Sequence, residues 1–353
     1  MIRSLWTAAM AAICLTLASV SIAADAPADA MPLPLARKVV DMTIELVESR
    51  GLYPRSQADY MEAKAELLAA LDSGAAQADR KDIHARIRRL LATLDTDGHS
   101  FLFTPEQNQW MQSANLESNA KRPSPFRLVT TSRGTVLRWT PLPIINSGNG
   151  QQTNAVNLKR FYDEADAHPE IGSACALVVD LSEQNGGTAW PLLIAMYALF
   201  SNANDANWVD RDGKRKPLVN RLGLEKMAQP LSDGRANPLA PYANGALAVV
   251  VGSHTSSAGE MLLVALLGEK RVETFGQTSQ GRSTSNATHM LADGSTLVLT
   301  EMRYAQGDGP VYHGGIPAMH PAEKGAPVDA AVRTAAEWAA AHSPTCRPAP
   351  GKP

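Results

Sequence analysis

Apolar positions along the chain change period twice, and the changes divide it into regions. Residues 32–95 read as helical. Their clearest segment places Ile83, Ile87, Leu90, Leu91 and Leu94 at i, i+4, i+7, i+8 and i+11, one apolar face of a helix. Asp79 stands where an N-cap belongs, and Gly98 follows as a stop signal. From 113 to 125 the chain turns polar and proline-bearing, as a linker does. Residues 126–142 then alternate around Gly134 in the manner of a hairpin.

Further on, continuous apolar runs alternate with helical stretches. A helix is predicted over 154–165, followed by a buried type of strand at 174–181 (ACALVVDL). Gly186-Gly187 leads from it into a helix over 190–200. After a polar insert at 201–244, a second buried run (246–251) feeds a helix over 257–267. Residues 298–300 lie in a further strand, and 327–341 form a closing helix. Such alternation predicts an α/β core, 126–342, with a mostly parallel sheet. An N-terminal helical bundle (24–112) precedes the core, 201–244 inserts into it or caps it, and 343–353 is a tail.

Residues 1–23 carry the pattern of a secretory signal. Arg3 supplies the positive region, an apolar stretch runs from about Leu5 to Val20, and Ser21-Ile22-Ala23 sets small residues before a cut near Ala24. The apolar run is short for a membrane span of about 20 residues. Ile13 before Cys14 is not the small residue that a lipoprotein signal needs. The expectation is therefore a periplasmic or secreted protein with no membrane anchor after cleavage. Cys175 and Cys346 would remain, free to pair in an oxidising compartment, with a buried free thiol at Cys175 as the alternative.

Composition narrows the function. The 353 residues are 44% hydrophobic, too apolar for a disordered chain. Lys+Arg number 33 against 35 Asp+Glu, which excludes an electrostatic nucleic-acid binder. The eight histidines show no paired-ligand spacing, so neither metal nor other cofactor is expected.

Candidate chemistry concentrates in three segments at strand or helix ends. They are Asp97-Gly98-His99-Ser100, Asp180-Leu181-Ser182-Glu183-Gln184-Asn185-Gly186-Gly187, and Gly252 to Glu260 (GSHTSSAGE). With Gly276–Gly281 (GQTSQG), Leu291–Thr300 (LADGSTLVLT) and His313–Pro317 (HGGIP), their order resembles that of the C-terminal-processing (tail-specific) serine peptidases. The resemblance covers about residues 35–342 and implies a ClpP/crotonase-like core acting on peptides or protein tails. Two positions depart from the family's D-L-R-x-N-x-G-G: Ser182 stands for Arg and Gln184 for Asn.

The family's Ser–Lys branch carries its lysine about 25 residues after the serine. Counting from Ser257 reaches Arg282, which cannot deprotonate to act as a base. Lys270 is a substitute only at a helix end. The branch lacking a PDZ domain, similar to nisin-resistance proteins and the tricorn protease core, places a histidine in a D-G-H-[ST] context. Asp97-Gly98-His99-Ser100 matches it.

The resemblance thus implies Ser257 as nucleophile and His99 as its base, with Glu260 or Asp97 orienting the imidazole. Backbone N–H groups of Gly186, Gly187 and Ala258 would form the oxyanion hole. An acid limb near pH 6–7 follows from an ordinary histidine. Blander readings stand beside these. Ser257 and Glu260 fit a capping box, Ser256 is a rival nucleophile, and His254 a rival base. The alternative function is a non-catalytic peptide-binding module on the same fold.

Overall fold

The computed structural model describes residues 29–347 except 73, 95–97, 110–123, 145–149 and 324. The secretory signal, most of the linker, Asp97 and the end of the tail lie outside the described residues.

Two sheets organise the core. The first runs β13-β10-β9-β6-β5-β4, comprising β4 (Phe126–Thr131), β5 (Gly134–Trp139), β6 (Ala176–Asp180), β9 (Leu247–Val251), β10 (Val272–Gly276) and β13 (His320–Pro321). Its pairings are parallel except for the β4–β5 hairpin at the edge. Both faces of β6 and β9 are covered, which is why ALVVD and LAVVV read as unbroken apolar runs. Their period of two still sorts the side chains. Ala176, Val178, Ala248 and Val250 face helix α8 (Val328–His342), whose buried alanines let it settle closely on the sheet. Leu177, Val179, Leu247, Val249 and Val251 face the other way, toward α4 (Gly150–Asp166), α5 (Trp190–Ala195) and α7 (Ala258–Leu267).

The second sheet is antiparallel: β11 (Thr284–Met290), β12 (Thr296–Gln306), β7 (Ala206–Val209) and β8 (Arg215–Pro217), with β3 (Phe101–Phe103) also on β12. Residues 201–244, read from sequence as an insert or cap, thus supply β7 and β8 to this sheet as well as helix α6 (Arg221–Ala228). Every residue of α7 is buried, and the helix packs against strands of both sheets.

Helices α1 (Leu33–Arg50), α2 (Gln57–Ala69) and α3 (Arg80–Ala92) bury their apolar faces together with Leu297 and Leu299 of the second sheet and Leu291 in its β11–β12 turn. The Asp79 carboxylate caps α3, accepting from the Lys81 and Asp82 N–H groups. Two short strands, β1 (Ala30–Pro32) and β2 (Gln77–Asp79), join in this region. His84 of α3 bonds Asp293 at 2.8 Å in the turn between β11 and β12, with both side chains buried. Burial opposes ionisation of Asp293, but hydrogen bonds from His84 and Ser295 outweigh it and hold the carboxyl at about 2.

Cys175 and Cys346 are joined. Cys175, just before β6, forms a disulfide with Cys346, just after α8, with Cα atoms 5.0 Å apart across 171 residues of sequence. This decides the alternative left open by the sequence, and the bond fastens α8 to the sheet it covers. Cys346→Ser should cost about 2–5 kcal/mol of stability, as loss of a native disulfide closing a long loop usually does. Urea unfolding of the oxidised protein and the variant measures it; equal midpoints would show that α8 docks as firmly without the bond.

Candidate active site

The segment after β9 is built to present Ser257. Gly252 N–H donates to Thr255 Oγ1 at 2.9 Å, the Thr255 hydroxyl donates to Leu181 O at 2.8 Å, and Ser256 N–H donates to Gln184 O at 3.0 Å. Gln280 N–H donates to Thr255 O at 2.8 Å from the far side. Gly259 is required, since a Cβ there would stand 2.2 Å from Gln184 O. So fastened, the chain enters α7 with Ser257 at φ 53° and ψ −111°. Few side-chain-bearing residues adopt such a backbone, and holding one there costs about 1–3 kcal/mol. The strain lifts the hydroxyl out of the chain's path at the head of a buried helix.

His99 arrives from the other sheet. Strand β3 begins two residues later and pairs with β12, Ser100 Oγ accepts from Thr300 N–H at 3.0 Å, and Asn286 Nδ2 donates to His99 O at 2.9 Å. The imidazole is 5% exposed. Its Nε2 lies 3.0 Å from Ser257 Oγ and its Nδ1 lies 2.6 Å from Thr284 Oγ1. With the proton on Nδ1 donated to Thr284, Nε2 is left to accept from the serine. Burial, then the positive charge of Arg282, lowers the pKa of His99 to about 4.

Glu260 does not face His99. Its buried carboxylate accepts from Ser257 N–H at 3.1 Å, Ser279 Oγ at 2.6 Å and Gly281 N–H at 2.8 Å. The reason is local: the third residue of a helix points back at the N-cap N–H, as in a capping box, and cannot also reach across to the imidazole. Thr284 faces the imidazole instead, and no sequence motif singled it out. Burial raises the Glu260 pKa, against hydrogen bonds from Ser279, Gly281, Ser257 and Arg282. The carboxylate thereby ties the Ser257 backbone to the 279–282 segment.

The other expected residues divide. Gly186 backs onto Ser257, a Cβ there lying 3.5 Å from Ser257 Cβ, but its N–H donates to Gln184 Oε1 at 3.2 Å. Gly187 has φ 91° and runs so close to Ile144 that a Cβ would stand 2.1 Å from Ile144 O. Among the described residues, the Gly187 and Ala258 N–H groups donate no hydrogen bond. Gln184, at the departure from the family motif, is fully buried and braces the loop through Gly186 N–H and Pro141 O. Ser182 is buried with its hydroxyl unpartnered. Asp180 draws a cation from the neighbouring strand, Arg138, at 2.6 and 2.8 Å.

The rivals lie elsewhere. His254 is largely exposed and faces Glu183 at 3.6 Å. Lys270 is exposed beyond the far end of ten-residue α7, about 15 Å along its axis. Ser256 is buried with its hydroxyl unpartnered, two hydroxyl-bearing neighbours notwithstanding.

Residues 145–318 match the family model described as Peptidase family S41. The core of this chain belongs to that family. The nisin-resistance protein of Lactococcus lactis subsp. lactis is 28% identical over 127 residues, 35% of this chain and 38% of that protein's length. Among solved structures, a lipoprotein from Streptococcus agalactiae superposes with a TM-score of 0.66 at 18% identity, covering 88% of this chain and 96% of its own. A photosystem II D1 C-terminal processing protease gives 0.55 at 13% identity, with 86% and 97% covered. At such identities the likeness is one of fold, an S41 core with helices ahead of it.

The His99 environment moves the pH expectation. Only the neutral imidazole can take a proton, so a pKa of about 4 keeps it competent well below pH 6. The acid limb of kcat/KM should therefore fall near pH 4, not at the 6–7 of an ordinary histidine; a limb at 6.5 in a pH–rate profile would refute the burial argument. Thr284→Val should lower kcat by about 10–100-fold with little change in KM, because the imidazole loses the partner that sets its tautomer and angle.

Proposed function

We propose that this chain is an exported serine endopeptidase that cleaves peptides or protein tails through an acyl-enzyme. The observation that carries the reading is the 3.0 Å approach of His99 Nε2 to the hydroxyl of a backbone-strained Ser257. Membership of the core in a peptidase family supplies the reaction class.

In this mechanism Ser257 Oγ attacks the scissile carbonyl as His99 Nε2 takes its proton. The oxyanion sits between the Gly187 and Ala258 N–H groups, where the N-terminus of α7 adds a favourable field. Gly186 is omitted from that pair because its N–H is engaged by Gln184. His99 then protonates the leaving amine, and a water activated by the same nitrogen hydrolyses the acyl-enzyme. Glu260 acts as a positioning residue, holding the Ser257 backbone, and Thr284 holds the imidazole.

Export rests on three supports: the signal-like residues 1–23, a disulfide of the kind that persists in oxidising compartments, and the likeness to a lipoprotein's fold. Peptide or protein chains are the expected partners, and the mild negative charge leaves nucleic acid outside the reading.

Ser257→Ala and His99→Ala should each reduce turnover of a mixed peptide library about ten-thousand-fold with folding intact. Full cleavage by either variant would remove that residue from the mechanism. Saturable peptide binding without turnover by the wild type would select the non-catalytic binding module.

A further inference from the structure

We propose that the Arg282 guanidinium is a subsite for a carboxylate of the bound peptide, and so determines which peptides are cut. The inference rests on the peptidase reading above and adds a substrate feature to it.

Position is the first argument. The segment carrying Arg282 is fastened to the candidate centre on both sides, by Gly281 N–H to Glu260 Oε1 at 2.8 Å and by Thr284 Oγ1 to His99 Nδ1 at 2.6 Å. Between them Ser283 is buried, its hydroxyl donating to Gly314 O at 3.0 Å. Alternation then turns Arg282 outward, and its side chain is exposed. The exposed Arg282 side chain therefore leaves the chain one residue from the Glu260 contact and two from the His99 contact, and its positive charge opposes protonation of His99.

Charge is the second. Arg138 faces Asp180 and Asp329, Arg235 faces Asp163 and Asp166, and Arg86 faces Asp82. Among the described residues no acidic side chain pairs with Arg282. The nearby Glu260 is buried and accepts from the Ser257, Gly281 and Arg282 backbones and the Ser279 hydroxyl, and it forms no ion pair with the guanidinium.

Chemistry is the third. A guanidinium stays charged at every working pH, and beside His99 it opposes the imidazolium that acylation must form. A ligand that neutralises the guanidinium on binding lifts that opposition only when substrate is in place. A carboxylate fits, because its two oxygens match the planar fork of N–H donors. A peptide offers one from two sources, its C-terminus or an Asp or Glu side chain.

The test uses peptide pairs that differ only in charge: free acid against C-terminal amide, and Glu against Gln at positions flanking the cut. Turnover is measured with wild type, Arg282→Gln and Arg282→Lys, and equilibrium affinity with the same peptides on Ser257→Ala protein with and without Arg282→Gln. The wild type should prefer the anionic member of at least one pair by roughly tenfold or more in kcat/KM. Arg282→Gln should bring that ratio near one, and Arg282→Lys should restore part of it. The pair that responds identifies the carboxylate's source. Cleavage without charge preference, or a preference unchanged in Arg282→Gln, overturns the subsite while the peptidase reading stands. Absence of cleavage together with an Arg282-dependent affinity ratio overturns the peptidase reading and keeps the subsite. If no anionic peptide binds better than its neutral pair, the proposal falls.

Discussion

The hydrogen bond between His99 and Ser257 spans 158 residues of sequence and two separately built halves of the molecule. Ser257 heads a helix rooted in the first sheet, while His99 leads into a strand of the second. A 3.0 Å contact between them demands that the two sheets sit in one relation to each other. Helix α7 enforces it. Its ten residues are all buried, and it packs against β10 on one side and β7, β11 and β12 on the other. The helix that carries the serine is thus also the wedge that spaces it from the histidine, and any slip in core packing is felt at the site.

Around that contact the unfavourable features are concentrated: a strained serine backbone, a buried carboxylate and a buried imidazole. Each is held by neighbours rather than by its own conformation. Thr255 and Gln184 hold the loop before Ser257, Glu260 holds the Ser257 N–H, and Thr284 and Asn286 hold His99. The cap made within S-x-x-E is compatible with the catalytic role proposed for Ser257. Glu260 makes the backbone contact of a cap, which leaves the serine hydroxyl in reach of the imidazole.

What the sequence showed depends on burial. Strands covered on both faces, β6 and β9, stand out as apolar runs, and α3, α7 and α8 stand out by length and period. The second sheet was illegible because its strands come from distant places and mix exposure. Thr284–Met290 reads TSNATHM, which has no apolar alternation, and Phe101–Phe103 is only three residues long. Thr284 is therefore invisible in the sequence, where the motifs offer only Glu260 or Asp97 to orient the imidazole. The pairing of Cys175 with Cys346 depends on α8 lying across β6, a tertiary fact that spacing alone cannot supply.

The disulfide has a further consequence through what it encloses. The covalent loop from 175 to 346 contains Ser257, Glu260, Arg282 and Thr284, but His99 lies outside it. Ser257 and His99 are therefore retained by different kinds of bond. The first belongs to a cross-linked unit, and the second is kept by packing of α1–α3 on the second sheet and by contacts such as His84–Asp293. Partial opening of the molecule should follow this asymmetry, releasing the N-terminal helices as a cooperative unit before the cross-linked core. His99 would depart first, leaving the Ser257 loop intact without its hydrogen-bond partner.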